Sequence, residues 1–338
     1  MHSEFRVIGN APETEKVKVQ DELMNKLFSH YDSLTDKDRE MVSLHEYAKT
    51  DTEIELINFA NDVTGQLMSD LGIVPYDIPQ DNYHLLPKEF YSKLDGNYGA
   101  QTYGAAFPTQ QGILMNVDKL RPKPVSFGAV ALHETMHLKG SLTMEVNAVG
   151  KKIVTTPYRM GLSVKSLQSK KFHRGHHKHF EGLHEAIVSQ VEKRYMKQLL
   201  DLPSLAEEKE WLTSPEGKTM IQNIAEKQEI SEDDIIWADS HNKNDWEMVS
   251  YLPQRKVLDY VCEEIKKVYP DMYDTKEDVF KEFLKGHFTG QLLTLARLVE
   301  NTFGKTSFRV LGNMSDEAQS AVLTLETMRK MRLNVLRS

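Results

Sequence analysis

The stretch VSFGAVALHETMHLKG, residues 125–140, limits what this chain can fold into more than any other. It contains no proline, Ser126 can serve as its N-cap and Gly140 can end it, so the spacing predicts a helix. Phe127, Val130, Ala131 and Leu138 give that helix an apolar face. Within it, HETMH at 133–137 matches H-E-x-x-H. A separation of four residues puts His133 and His137 on one face, where both imidazoles can point at one metal ion. Glu134 is turned by about 100° around the axis. From there it reaches a water on the metal without being a ligand, and zinc lowers the pKa of that water so that Glu134 can take its proton. A hydrolytic zinc site has three protein ligands and an open position. A second element must therefore bring a third ligand to this helix.

One source is excluded by identity. In H-E-x-x-H-x-x-G-x-x-H sites the third ligand is a histidine, and here Thr143 stands at that place. Neutral threonine is a poor zinc ligand. The other source is FHRGHHKHFEGLHEA, residues 172–186. Its histidines are crowded by Lys170, Lys171, Arg174 and Lys178, which repel a cation. The run therefore reads as a basic loop on the cleft rim, suited to acidic substrate side chains, rather than a separate metal store. The glutamates carry more weight. On a helix Glu181 and Glu185 share a face. One can ligate zinc while the other accepts a hydrogen bond from a ligating histidine.

HETMH followed by E-G-L-H-E resembles the gluzincin metallopeptidases, the group of thermolysin and the zinc aminopeptidases, over roughly residues 80–200. The resemblance implies an α+β chain: a zincin-like catalytic lobe over 51–200, with a small mixed sheet and active-site helices, then an all-α lobe over 201–338 packed on it. It implies Zn2+ as cofactor and hydrolysis of a peptide or protein substrate. Carried over, His133, His137 and Glu181 hold the zinc, and Glu134 activates the water. Glu185 then supports a histidine, or replaces Glu181 as ligand. Phe180 stands where the group has Asn, and His184 where a small residue is common. In such peptidases the strand before the active helix edges the cleft, and GILMN (112–116) is the expected counterpart, with backbone groups for an extended substrate. GILMN lacks the glutamate that holds a free amine in the aminopeptidases, which favours an endopeptidase; Glu145 or Glu185 could stand in. Tyr251, ahead of a helix starting near Pro253, is the expected oxyanion donor, with His241 and His287 behind it. The alternative is a binding protein on the same fold whose metal is structural.

Composition narrows the remaining classes. The chain has 338 residues, with 40% hydrophobic and 27% charged, enough for a sizeable core. A net charge of −8 disfavours nucleic acid as partner. Cys262 is the single cysteine, so neither a disulfide framework nor a cysteine-rich zinc site is available. Neither a secretory signal nor an apolar run of about 20 residues is found, so no membrane partner and a cytoplasmic location are expected. Residues 1–50 read as a polar tail with a helix near 18–30, and 51–72 as a helix ending at Gly72. NYHLLP (82–87) reads as a strand and 151–167 as one or two more. A helix is expected at 179–199, and helix almost throughout from 203. FRVIGN (5–10) and FRVLGN (308–313) nearly match without forming a repeat.

Overall fold

The structure, a computed structural model, describes residues 5–28, 40, 43–94, 102–108, 111–166, 177–240, 242 and 244–337. The chain is mixed α+β. Strand β1 (Arg6–Ile8) and helix α1 (Glu13–Phe28) lead to α2 (Asp51–Asp70), β2 (Tyr83–Leu86), α3 (Lys88–Leu94), β3 (Gly104–Phe107) and β4 (Gly112–Asn116). Next come α4 (Val117–Leu120), α5 (Pro124–Lys139), the strands β5 (Leu142–Val149), β6 (Lys152–Met160), β7 (Ser163–Ser166) and β8 (His177–His179), and α6 (Glu181–Leu200). The remainder holds α7 (Ala206–Thr213), α8 (Pro215–Gln228), β9 (Ile235–Ala238), β10 (Trp246–Met248), α9 (Leu252–Val268), α10 (Lys276–Thr289), α11 (Leu293–Phe303), α12 (Ser307–Gly312) and α13 (Ala318–Arg337).

Helix α5 is the axis of the molecule. Pro124, not Ser126, opens it: proline at the first turn sacrifices no hydrogen bond, and its fixed φ suits the helix. Ser126 lies inside the helix, buried. Nor is the helix amphipathic. From Val125 to Lys139 it is buried on nearly every side, as a central helix is. Helix α2 packs along it, started by a capping box in which Thr50 and Glu53 satisfy each other's backbone N–H groups. The Glu53 carboxylate also takes Arg121 Nε and Nη2 at 2.9 and 3.0 Å. That forked pair ties the start of α2 to the turn before α5.

Two sheets flank this axis. In one, β4 lies between β2, which runs parallel to it, and β3, which runs antiparallel. GILMN is therefore the central strand, with both backbone edges occupied, and cannot be the free edge expected of it. The edge is β3. The larger sheet has the order β1-β5-β6-β7-β8. Its first strand, Arg6–Ile8, pairs in parallel with Thr143–Glu145, so part of the expected polar tail is sheet.

After residue 200 the helices fall close to their expected places, but the segment is not all helix. The antiparallel pair β9–β10 interrupts it. Buried Asp234 anchors the start of β9 by accepting from Arg255 Nη1 and Lys193 Nζ, each at 2.7 Å. One apolar core runs through both parts of the chain, from Leu56 and Phe127 through Val188 to Phe283 and Met328.

Candidate metal centre and its cleft

Helices α5 and α6 pack side by side and bring three donors together. His133 Nε2 and His137 Nε2 lie 3.1 Å apart, and Glu185 Oε2 is 3.4 Å from each. These residues form the group among the described ones able to hold a metal ion. The spacing can be checked against chemistry. Four ligands at about 2.0–2.2 Å around a tetrahedral ion stand about 3.3–3.6 Å from one another. The observed triangle has nearly those edges. Glu185 Oε2 is also buried without a hydrogen-bond partner. Lone pairs converging this closely require a proton or a cation between them.

Glu185, not the expected Glu181, thus faces the histidines. Glu181 is the first residue of α6 and pairs with Lys178 instead. The reason is axial position. The two glutamates share a face but stand about one turn, roughly 6 Å, apart along the helix. Phe180, in the left-handed region at φ 61°, sets that position. Its N–H donates to Gly312 O at 2.7 Å and its ring lies 4.8 Å from that of Phe308.

Each histidine has a buried partner behind it. Glu192 Oε2 accepts from His133 Nδ1 at 3.2 Å, two turns beyond Glu185 on the same face. His137 Nδ1 lies 2.7 Å from His184 Nε2. Sequence reasoning passed over Glu192 and gave His184 no role. The i, i+7 spacing of Glu185 and Glu192 is the signal that marks the first. For His137 to present Nε2 to a metal, its Nδ1 must carry the proton and donate to His184 Nε2. Burial first, then neighbouring His137 and His287, hold the His184 pKa well below its ordinary value, so it stays a neutral acceptor. Behind it, His287 donates Nε2–H to Met136 O at 2.9 Å, and burial lowers its pKa to about 4. His287 is therefore buried support beneath the site, not the donor to the cleft that sequence placed second to Tyr251.

The remaining charges follow. Burial raises the Glu185 pKa, but His137 and His133 outweigh it and hold the carboxylate ionised, well below its ordinary value. Burial acts against a charged His133, yet Glu185 and Glu192 together hold its pKa well above the ordinary one. Glu134 is buried, which raises its pKa, while the adjacent histidines and the Ala106 backbone oppose the rise.

The cleft runs along β3. A β-carbon on Gly104 would stand 2.6 Å from Val130 Cγ1 and 2.9 Å from Glu134 Cγ, so only glycine lets the strand lie this close to α5. One cavity of about 390 Å³ opens beside Gly104, Val130 and Glu247. Another of about 310 Å³ opens beside Ala106, Arg159 and Glu185. Tyr251 borders both, its ring 6.2 Å from that of His133 and nearly parallel to it. Burial, then Glu185 and other carboxylates, push its phenol pKa up, so the hydroxyl keeps its proton. A larger cavity, about 730 Å³ between α8 and Trp246, contains none of these groups.

His177 and His179 lie in β8, paired to β7, and His179 is not in the metal group. His173, His176 and His241 lie outside the described residues. Glu145 lies in β5, opposite Ile8 and Thr156. Among the described residues no helix is long and apolar enough to cross a membrane. Comparison with protein-family models, with curated proteins and with solved structures returns no match.

Proposed function

We propose that the chain is a zinc-dependent endopeptidase with a zincin-like catalytic lobe. The observation that carries this reading is the convergence of His133 Nε2, His137 Nε2 and Glu185 Oε2 with Glu134 buried on the same helix. Two imidazoles and a carboxylate are a donor set of hydrolytic zinc sites. His133, His137 and Glu185 would hold a zinc ion, which would supply the acidification of a water and the polarisation of a carbonyl. Glu134 takes the proton of the attacking water and delivers it to the leaving amine. Its raised pKa brings it nearer the working pH for both halves of that task. The Tyr251 hydroxyl, kept protonated, donates to the oxyanion that develops on the carbonyl. The free edge of β3 offers N–H and C=O groups to an extended peptide. Cavities on both sides of the metal group favour an internal cleavage site over one confined to a chain end.

The alternative, a structural metal in a binding protein, fits less well. Structural zinc takes four protein ligands and needs no general base. Among the described residues the group has three members, and Glu134 is buried one residue along from His133 on the same helix. The test is Glu134→Gln in the zinc-loaded protein, assayed on a mixed peptide library by mass spectrometry. Zinc content stays at one per chain and cleavage falls by about a thousandfold or more. Cleavage at the wild-type rate in that variant would refute the mechanism.

A further inference from the structure

The cavity at the Ala106–Pro108 end of the cleft has a wall that the chemistry above does not use. Arg159 on β6 and Lys165 on β7 line it, both half-buried. Arg159 donates Nη1–H to Gly290 O at 2.6 Å, while its Nε is buried without a hydrogen-bond partner. Among the described residues neither cation forms an ion pair. The charged group acting on Arg159 besides Tyr158 is Arg6, of like sign. Those acting on Lys165 are Lys178, also of like sign, and Glu181, which is already paired with Lys178. Two other carboxylates border the cavity. Glu185 belongs to the metal group, and Asp316 acts on Tyr251 and on neither cation. Half-buried cations without a counter-charge raise the free energy of the empty cleft, and a bound carboxylate would lower it.

We propose that Arg159 and Lys165 form a subsite for an acidic substrate side chain on the amino-terminal side of the scissile bond. The inference rests on the peptidase reading and adds the substrate class. The direction comes from β3. An added strand pairs more favourably antiparallel than parallel. Strand β3 runs from Gly104, beside the first cavity, toward Ala106 and the following Pro108, beside this one. An antiparallel peptide therefore lays its amino-terminal half against Arg159 and Lys165. There a carboxylate meets the fork of one cation and the point charge of the other.

The test uses the zinc-loaded full chain and peptides that differ only in one residue just before the cleaved bond, Glu, Gln or Lys. The Glu peptide is cleaved with a kcat/KM about tenfold above the Gln peptide, with the Lys peptide lower still. Lys165→Glu reverses the order of Glu and Lys, and Arg159→Gln reduces the Glu preference. Thermal melts of both variants, with the zinc content of each, separate lost recognition from lost folding. A parallel arm measures binding of the same peptides to the Glu134→Gln protein by fluorescence anisotropy, where Glu again exceeds Gln. Equal kcat/KM for the three peptides, a preference for acid only after the cleaved bond, or an unchanged preference in folded Lys165→Glu would each overturn the subsite. Absence of all cleavage by the wild type refutes the peptidase reading instead. The anisotropy arm then decides the subsite alone: tighter Glu binding supports it and equal binding overturns it.

Discussion

Glu192 gives the sharpest test of how the metal centre is built. It sits 5% exposed, with its carboxylate 3.2 Å from His133 Nδ1. A buried hydrogen bond to a charged group is worth about 1.5–3 kcal/mol. Converted at about 1.4 kcal/mol per decade, its loss in Glu192→Leu weakens metal binding by about 10- to 100-fold. Glu192→Gln keeps an acceptor but not the charge, and a neutral bond is about half as strong. Its loss is correspondingly smaller, about three- to tenfold. The pH dependence makes the prediction specific. Glu192 is one of three carboxylates, with Glu185 and Glu134, that hold the His133 pKa well above 6.5 in the metal-free protein. Below that raised pKa a metal ion must displace a proton, and affinity falls about tenfold per unit of pH. Removing Glu192 lowers the His133 pKa, so the variants lose less to proton competition near neutrality than the wild type does. The deficit of Glu192→Gln is therefore largest at alkaline pH and narrows as the pH falls. Competition with a zinc chelator at several pH values between about 6 and 9 measures it. A deficit that is absent at alkaline pH, or equal at all pH values, would show that Glu192 neither orients nor charges His133.

Two further outcomes follow from the surroundings of the site. Lys139 is fully buried, with Asn61 O at 3.3 Å and Asp77 at 3.8 Å, and burial lowers its pKa from 10.5 to about 8. A lysine whose folded pKa is depressed costs stability wherever it is charged. That cost is full below about pH 8 and fades as pH rises toward the unfolded value. Some 2.5 units correspond to about 3 kcal/mol, so Lys139→Met stabilises the protein at neutral pH by about 2 kcal/mol after losing a bond to Asn61. Denaturant unfolding near pH 7 and pH 10 checks this, and a variant that is less stable at the lower pH counts against it. Gly104→Ala forces a methyl group against Val130 and the Glu134 side chain. Peptide cleavage should fall at least tenfold with zinc content unchanged, and unaltered turnover would mean that β3 does not set the position of Glu134.

Sequence revealed the parts of the site that depend on local geometry. His133, Glu134 and His137 are spaced by helix pitch, and the pitch is the same in any protein. Tyr251 precedes α9 as its placement required. The edge strand was harder to read. GILMN is apolar along its length and buried at every position, the pattern of a strand covered on both sides. That pattern marks a centre, yet nearness to the helix that carries HETMH suggested an edge. The true edge, GAAF at 104–107, carries little strand signal because it is made of small residues. Its role shows only once Gly104 is set against Val130.

The near-identical hexapeptides show where local reading stops, and they bear on the metal site. FRVIGN includes β1, with Gly9 at φ 110° close against the Val146 backbone. FRVLGN falls mostly in helix α12, where a β-carbon on Gly312 would press 2.9 Å from the Phe180 ring. One substitution, Ile for Leu, does not separate strand from helix; the surrounding structure does. In the first case an open sheet edge is offered by β5, and in the second a short turn of helix is held between α11 and α13. The second copy has a consequence beyond its own conformation. Gly312 makes room for Phe180, Phe180 docks on Phe308, and Gly182 packs close against the Ser315 carbonyl. These contacts fix how far α6 is pushed along its axis. That position puts Glu185 opposite His133 and His137 and leaves Glu181 to Lys178. Spacing alone could not separate two glutamates that share a helix face. The residues that separate them lie about 130 positions along the chain and act by packing, which is why the third donor was the least legible part of the centre.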